Sequence, residues 1–236
     1  VYVQMIPLSR RRWRTALLWA CASVLPMKIM CQTQAPEALT IEQGLSQGMV
    51  YDVLQTRDGF LWVGTKDGLN RYDGYNFNVW SNNPRDSFSI SDNTVTRLLE
   101  DSRGWIWIGG ENQTINLFDR KTQRFFRLAL PAQGAQEKQV LFDVLDMMED
   151  RYGRIWIVNR GAGVFCITIP DNTPSSLPDT PDLTNWFRLQ TIQFPPPSKE
   201  QGKALQEEYT DLFERTDGSI WVGSSKGVYN IDFQTF

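Results

Sequence analysis

The sequence predicts an all-β fold of stacked antiparallel sheets, and three observations predict it. A phrase first met at Asp58-Gly59-Phe60-Leu61-Trp62-Val63-Gly64-Thr65 returns as Arg103-Gly104-Trp105-Ile106-Trp107-Ile108-Gly109, as Tyr152-Gly153-Arg154-Ile155-Trp156-Ile157-Val158 and as Asp217-Gly218-Ser219-Ile220-Trp221-Val222-Gly223. Upstream of each glycine stands an apolar pair: Val53-Leu54, Leu98-Leu99, Met147-Met148 and Leu212-Phe213. The four tryptophans are 45, 49 and 65 residues apart, and a period of about 40–50 residues marks a four-stranded propeller blade. The class is therefore a β-propeller of four-stranded antiparallel blades, about four of them in this chain.

The elements follow in order. Arg10, Arg11, Arg12 and Arg14 precede an apolar run from Thr15 to Leu25, of secretory-leader length and short for a membrane span. Residues 1–35 are read as a signal peptide, cleaved between Cys31 and Ala35, and residues 36–236 as the propeller region. Leu18-Trp19-Ala20-Cys21 loosely resembles a bacterial lipoprotein box, with tryptophan a poor fit there. Residues 38–43 alternate apolar and polar side chains as a half-buried strand does, and Gly44 ends it. Standing alone, this strand is a candidate clasp, either for the fourth blade of a small closed ring or for the final blade of a larger one.

Blade one (50–80) reads as strands 50–56, 60–65, 68–73 and 75–80, with Asp58-Gly59 at the first turn; Asp-Gly between apolar runs is a strong hairpin signal. Blade two (94–130) repeats the plan at 94–101, 105–109, 114–119 and 124–130. Blade three (140–190) reads as 140–150, 155–158 and 163–169, after which four prolines between Pro170 and Pro181 predict a solvated insertion, since proline cannot donate to a ladder. Its fourth strand is expected at Asn185-Trp186-Phe187-Arg188-Leu189, an echo of Arg124-Phe125-Phe126-Arg127-Leu128. Blade four (209–236) supplies 209–215, 219–224 and 227–233, with no fourth strand before Phe236; a ring must close to escape its open edges. The chain is accordingly expected to be the front part of a larger ring, about seven-bladed.

The chain has 24 basic and 27 acidic residues; beyond residue 35 the balance is 19 against 27, net −8. Such an acidic surface argues against a nucleic-acid partner. Of three cysteines only Cys166 lies beyond the leader, in an apolar strand that predicts a buried, inert thiol. No histidine occurs anywhere, which removes the usual general base, the usual zinc ligand and the Ser-His-Asp arrangement. Gly161-Ala162-Gly163 joins two strands, so it is not a phosphate-binding loop opening a helix. Asp58, Asp101, Asp150 and Asp217 fit turn chemistry better than calcium, which needs six or more converging oxygens. The repeated tryptophans are read as core between blades. No catalytic residue, metal or cofactor is expected, and individual ligand-binding residues are not assigned.

The first repeat, Val50-x-x-Val53-Leu54 with Asp58-Gly59-x-Leu61-Trp62-Val63-Gly64-Thr65-x-x-Gly68-Leu69-x-Arg71-Tyr72-Asp73, resembles the two-component regulator propeller repeat. The lead-in Leu39-Thr40-Ile41-Glu42-Gln43-Gly44-Leu45-Ser46 is similar to the opening of the sensors built from it. Gly110-Glu111-Asn112-Gln113 and Val158-Asn159-Arg160 depart from the pattern. The resemblance implies a periplasmic sensor region of a hybrid system whose full-length members are anchored in the inner membrane, an oligosaccharide or similar nutrient as ligand, and a homodimer in the complete sensor. Its further blades and histidine kinase would lie outside these residues. Ligand contacts are expected on the connectors into each first strand, at 81–93, 132–139 and 195–208. A propeller enzyme of lyase or glycosidase type and a protein-binding scaffold stand as alternatives.

Overall fold

The computed structural model describes residues 38–131, 143–174, 177–194 and 208–231. Residues 1–37, which include the expected signal peptide, and residues 132–142, 175–176, 195–207 and 232–236 lie outside the described residues. The regular structure of the described residues is strand apart from one 3-10 turn. Blade one comprises β1 (Val50–Gln55), β2 (Leu61–Thr65), β3 (Gly68–Tyr72) and β4 (Phe77–Trp80). Blade two comprises β5 (Val95–Glu100), β6 (Ile106–Gly110), β7 (Thr114–Asp119) and β8 (Arg124–Ala129). Blade three follows as β9 (Val144–Glu149), β10 (Ile155–Asn159), β11 (Gly163–Thr168) and β12 (Arg188–Thr191), and blade four as β13 (Tyr209–Glu214), β14 (Ile220–Ser224) and β15 (Gly227–Ile231). Each sheet is a meander in chain order, with three strands described in the last and four in the others.

The repeated glycine explains why each first hairpin turns where it does. Gly59, Gly104, Gly153 and Gly218 all have positive φ, between 71° and 90°, a conformation that any Cβ would strain. The hairpins then close on equivalent bonds, among them Thr56 N–H to the Phe60 carbonyl and Asp101 N–H to that of Trp105, both 3.0 Å. In each sheet the tryptophan of the second strand pairs with the second residue of the first strand's apolar pair: Leu54 with Trp62, Leu99 with Trp107, Met148 with Trp156 and Phe213 with Trp221.

The core lies in three seams. Trp62 meets Ile106, Ile108, Phe118 and Phe125 between blades one and two. Trp107 meets Ile155, Ile157, Phe165 and Ile167 between blades two and three, and Trp156 meets Ile220, Val222 and Ile231 between blades three and four. On β6 the tryptophan therefore faces one neighbour and the flanking isoleucines the other. A strand covered on both faces is apolar at consecutive positions, and every residue of β6 and of β10 is buried. Trp62, Trp107 and Trp156 are among the largest fully buried side chains; Trp221 is only half-buried.

The glycine after each of the first two tryptophan phrases lets neighbouring blades approach. A Cβ on Gly64 would come 2.7 Å from a Val95 methyl, and one on Gly109 would come 2.5 Å from Val144 Cβ. Blade three has Val158 here, fully buried beside Tyr209.

Two expectations are corrected. Residues 38–43 are not a strand: Ile41–Gln43 form a single 3-10 turn. Thr40 caps it, its hydroxyl accepting from Glu42 N–H while the Gln43 side chain accepts from Thr40 N–H at 2.9 Å, and Gly44 closes it at φ 105°. This Thr-x-x-Gln capping box outweighs the alternation. The fourth strand of blade three starts at Arg188 rather than Asn185. Thr168 pairs with Arg188 as Asp119 pairs with Arg124, so the echo of blade two is offset by three residues. Phe187 is spent on the seam against Trp107, at 5.6 Å between ring centroids.

Candidate functional site

The antiparallel sheets have two rims. On one, the turns between second and third strands meet the connectors into the first strands: Gly68 N–H donates to the Asn93 carbonyl at 2.7 Å and Lys66 N–H to that of Met49 at 3.2 Å. The connector 81–93 lies on this rim and is tied down by its own bonds. Asn82 N–H donates to Asn93 Oδ1 and Asn83 N–H to Ser89 Oγ. Ile90 is buried, and Ser91 N–H donates to Asn116 Oδ1, as Ser46 N–H does to Asn70 Oδ1. The other two connectors expected to hold ligand, 132–139 and 195–208, lie outside the described residues except for Glu208.

The opposite rim carries the turns between first and second strands and between third and fourth. A repeated latch joins its blades. Glu100, Glu149 and Glu214, each ending a first strand, accept the backbone N–H of Arg57, Ser102 and Arg151 in the preceding blade, at 2.8, 2.6 and 3.1 Å. Arginines span the same joints: Arg103 pairs with Glu149 at 3.6 Å and Arg151 with Glu214 at 2.6 Å. Arg120 holds Asp58 at 2.9 Å and also Glu100.

The repeated aspartates divide into two kinds here. Asp101 and Asp150 are buried and accept the indole N–H of Trp107 and Trp156, at 3.0 and 2.9 Å. Their other oxygen accepts two turn N–H groups, those of Arg103 and Trp105 in blade two and of Tyr152 and Arg154 in blade three. Desolvation dominates at Asp101 and raises its pKa, against the bond from Trp107. Where the position six before the tryptophan is not acidic, the carboxylate moves into the turn. Asp58 accepts from Thr56, whose hydroxyl takes the Trp62 indole bond, and Asp217 accepts from Ser219, whose hydroxyl takes that of Trp221. The turn reading holds for Asp58 and Asp217; at Asp101 and Asp150 the carboxylate also bonds the core indole. Cys166 is buried, and burial pushes its thiol up to about 12, so it stays protonated near neutrality and is a poor nucleophile.

A cleft opens on this second rim where the blade-three insertion folds back over blade two. The insertion runs beside the outer edge of β8. Arg127 N–H donates to the Pro181 carbonyl at 2.6 Å and Leu183 N–H to that of Arg127 at 2.8 Å, with Arg127 and Asp182 bridged in parallel. Leu183 and Phe187 anchor it in the seam. Between its start and the turns of blade two lies a cavity of about 550 Å³, lined by Arg103, Trp105, Asp119, Lys121, Asp171 and Thr173 among others. A second, of about 350 Å³, lies on the far side of the same segment against Asn185 and Trp186. Neither was foreseen from sequence. The proline-rich composition announced a loop at 170–181 without showing which blade it would cover.

Residues 44–67 and 89–112 each match the family model of the two component regulator propeller. Over 55 residues, 23% of this chain, the sequence is 53% identical to histidine kinase P4 of Formosa agariphila, and that match covers 4% of the kinase. The extracellular domain of BT4673 from B. thetaiotaomicron, described as a hybrid two component system, superposes with a TM-score of 0.57 at 21% identity, over 85% of this chain and 24% of that one. PorZ, a surface component of the type-IX secretion system of Porphyromonas gingivalis, superposes with a TM-score of 0.51 at 19% identity, over 77% of this chain and 24% of its own. The chain thus spans less than a quarter of each of these relatives, and the structural likeness shows the fold. The two stretches that match the regulator-propeller model are the lead-in and first hairpin of blade one and the corresponding stretch of blade two, so the likeness in sequence falls on the repeat from which these sheets are built.

Proposed function

We propose that this chain is the exported ligand-sensing part of a two-component regulatory protein and that it detects an oligosaccharide or similar nutrient. The observation that carries the reading is the repeat itself, matched twice by the regulator-propeller model and 53% identical over 55 residues to a histidine kinase. Phosphotransfer is assigned to domains outside these residues, so this part binds and does not turn its ligand over. Latched seams and a surface cleft suit that division: a rigid scaffold positions loops, and loops carry recognition. No helix among the described residues is long and apolar enough to cross a membrane, in keeping with a domain held outside the inner membrane by segments elsewhere in the protein.

The test is calorimetric titration of the protein with neutral and acidic oligosaccharides from plant, algal and host glycans, each mixture then analysed for cleavage products. Saturable binding without cleavage supports the sensor reading. Cleavage of a bound glycan would replace it with the enzyme reading, and failure of every glycan to bind would remove carbohydrate as the signal.

A further inference from the structure

The two cavities at the blade-three insertion share Pro170, Thr173 and Pro174. The segment 170–174 is thus a ridge with a hollow on either side, one bordered by Trp105 and the other by Trp186. We infer that the pair forms one bipartite site for a linear, uncharged oligosaccharide, with a sugar ring against each indole and the chain crossing the ridge. The inference rests on the sensing reading above and supplies the residues that reading leaves unassigned.

The chemistry of the lining carries the argument. Both indoles are partly buried on the side of the seam, which fixes them, and both border a hollow. A pyranose offers a face of C–H groups and an edge of hydroxyls that donate and accept. An indole meets the face, and the edge needs fixed groups of both hydrogen-bonding senses. Beside Trp105 stand Lys121 as donor and Asp171 as acceptor, both exposed and without an ion-pair partner among the described residues. Beside Trp186 stand the amides of Asn172 and Asn185, which do both. The remaining charges are already committed: Arg120 to Asp58 and Glu100, Arg103 to Glu149, and Asp119 to Lys121 N–H and the Thr122 hydroxyl. Among the described residues Lys121 and Asp171 stand on this lining as opposite charges without an ion-pair partner, a combination that suits the donating and accepting hydroxyls of a neutral sugar. A ligand one ring long would fill only one hollow, so affinity is expected to grow with chain length.

The full chain is titrated with xylo-, manno- and β-gluco-oligosaccharides from one to six units and with oligo-uronates, alongside Trp105→Ala, Trp186→Ala, Lys121→Ala and Asp171→Ala. The expected result is roughly tenfold or greater gain in affinity from monosaccharide to oligosaccharide, and a loss of about that size in each tryptophan variant. Lys121 and Asp171 lie on the surface, so their variants fold as the parent does and should each bind several-fold more weakly. Several results would overturn the site while leaving the sensor reading in place: a monosaccharide binding as tightly as its oligomers, a glycan binding all four variants with undiminished affinity, or binding restricted to uronates. Binding of no glycan at all would overturn both.

Discussion

Trp107 and Trp221 occupy the same place in the repeat and have different surroundings. Trp107 is fully buried, faces blade three and gives its indole N–H to a buried carboxylate. Trp221 is half-buried, gives its N–H to the Ser219 hydroxyl at 3.0 Å and has the Arg215 guanidinium 5.5 Å over its ring. No described sheet lies against that face, where Phe213 and Val228 are also exposed. The phrase thus specifies a blade edge, and the neighbouring blade decides how much that edge contributes.

The sharpest way to break the comparison is truncation of the ring. Trp107→Ala is expected to cost about 3–5 kcal/mol of unfolding free energy, and Trp221→Ala about 1 kcal/mol, both measured by denaturant titration. Equal losses would mean that the indole acts within its own sheet rather than across the seam.

Asp101→Asn leaves the shape unchanged, but its amide nitrogen must face either the Trp107 indole N–H or the two turn N–H groups, all of them donors. An unsatisfied buried group of this kind costs about 1–3 kcal/mol, whereas Asp217→Asn, in an exposed turn, is expected to cost about 0.5 kcal/mol or less. The same stability assay separates them.

Gly109→Ala pushes a methyl into Val144 and is expected to cost about 1–3 kcal/mol. Gly223→Ala meets only Asp211 and Thr210 of its own blade at 3.4–3.5 Å and should lie within about 0.5 kcal/mol of the parent. Differential scanning calorimetry of the two proteins would reverse the seam account if Gly223→Ala proved the worse.

The smallest effect is one of pH. Asp146 lies under blade four, where it accepts Leu212 N–H at 2.8 Å, and desolvation raises its pKa above the ordinary 3.8. A carboxyl raised on folding binds its proton more tightly folded than unfolded. Its contribution to stability therefore grows as pH falls from neutrality through the raised value toward 3.8, and is constant below. Melting temperature followed from neutral pH to about pH 4 should show a shallower acid loss in the parent than in Asp146→Asn. An identical pair of profiles would remove Asp146 from the account.

Much of this fold was legible because its signals are local. Asp58-Gly59 and its three counterparts need only backbone sterics to make a turn, and alternating apolar residues beside them need only a sheet. The misreadings came where two local signals competed or where a partner was remote. At residues 38–43 the alternation suggested a strand while Thr40 and Gln43 spelled a capping box. At Trp186 and Phe187 an aromatic pair that looked like a strand serves the seam from a turn. Asp101 and Asp150 stand six residues before their tryptophans, a regularity that could have revealed the indole bond, yet turn chemistry sufficed to explain them. The clefts had no sequence signal, since Trp105 and Lys121 meet Pro170 and Asp171 of the insertion across a long stretch of intervening chain that must fold first.

By itself the sequence determined the number of sheets, their hairpins and the ring each contributes, because strand alternation and positive-φ glycines act over a few residues. Only the tertiary structure decided which tryptophans are core, which aspartates bond them and where the insertion opens a cleft. Burial, desolvation and cavity shape belong to pairs of surfaces, and one strand carries only half of each pair.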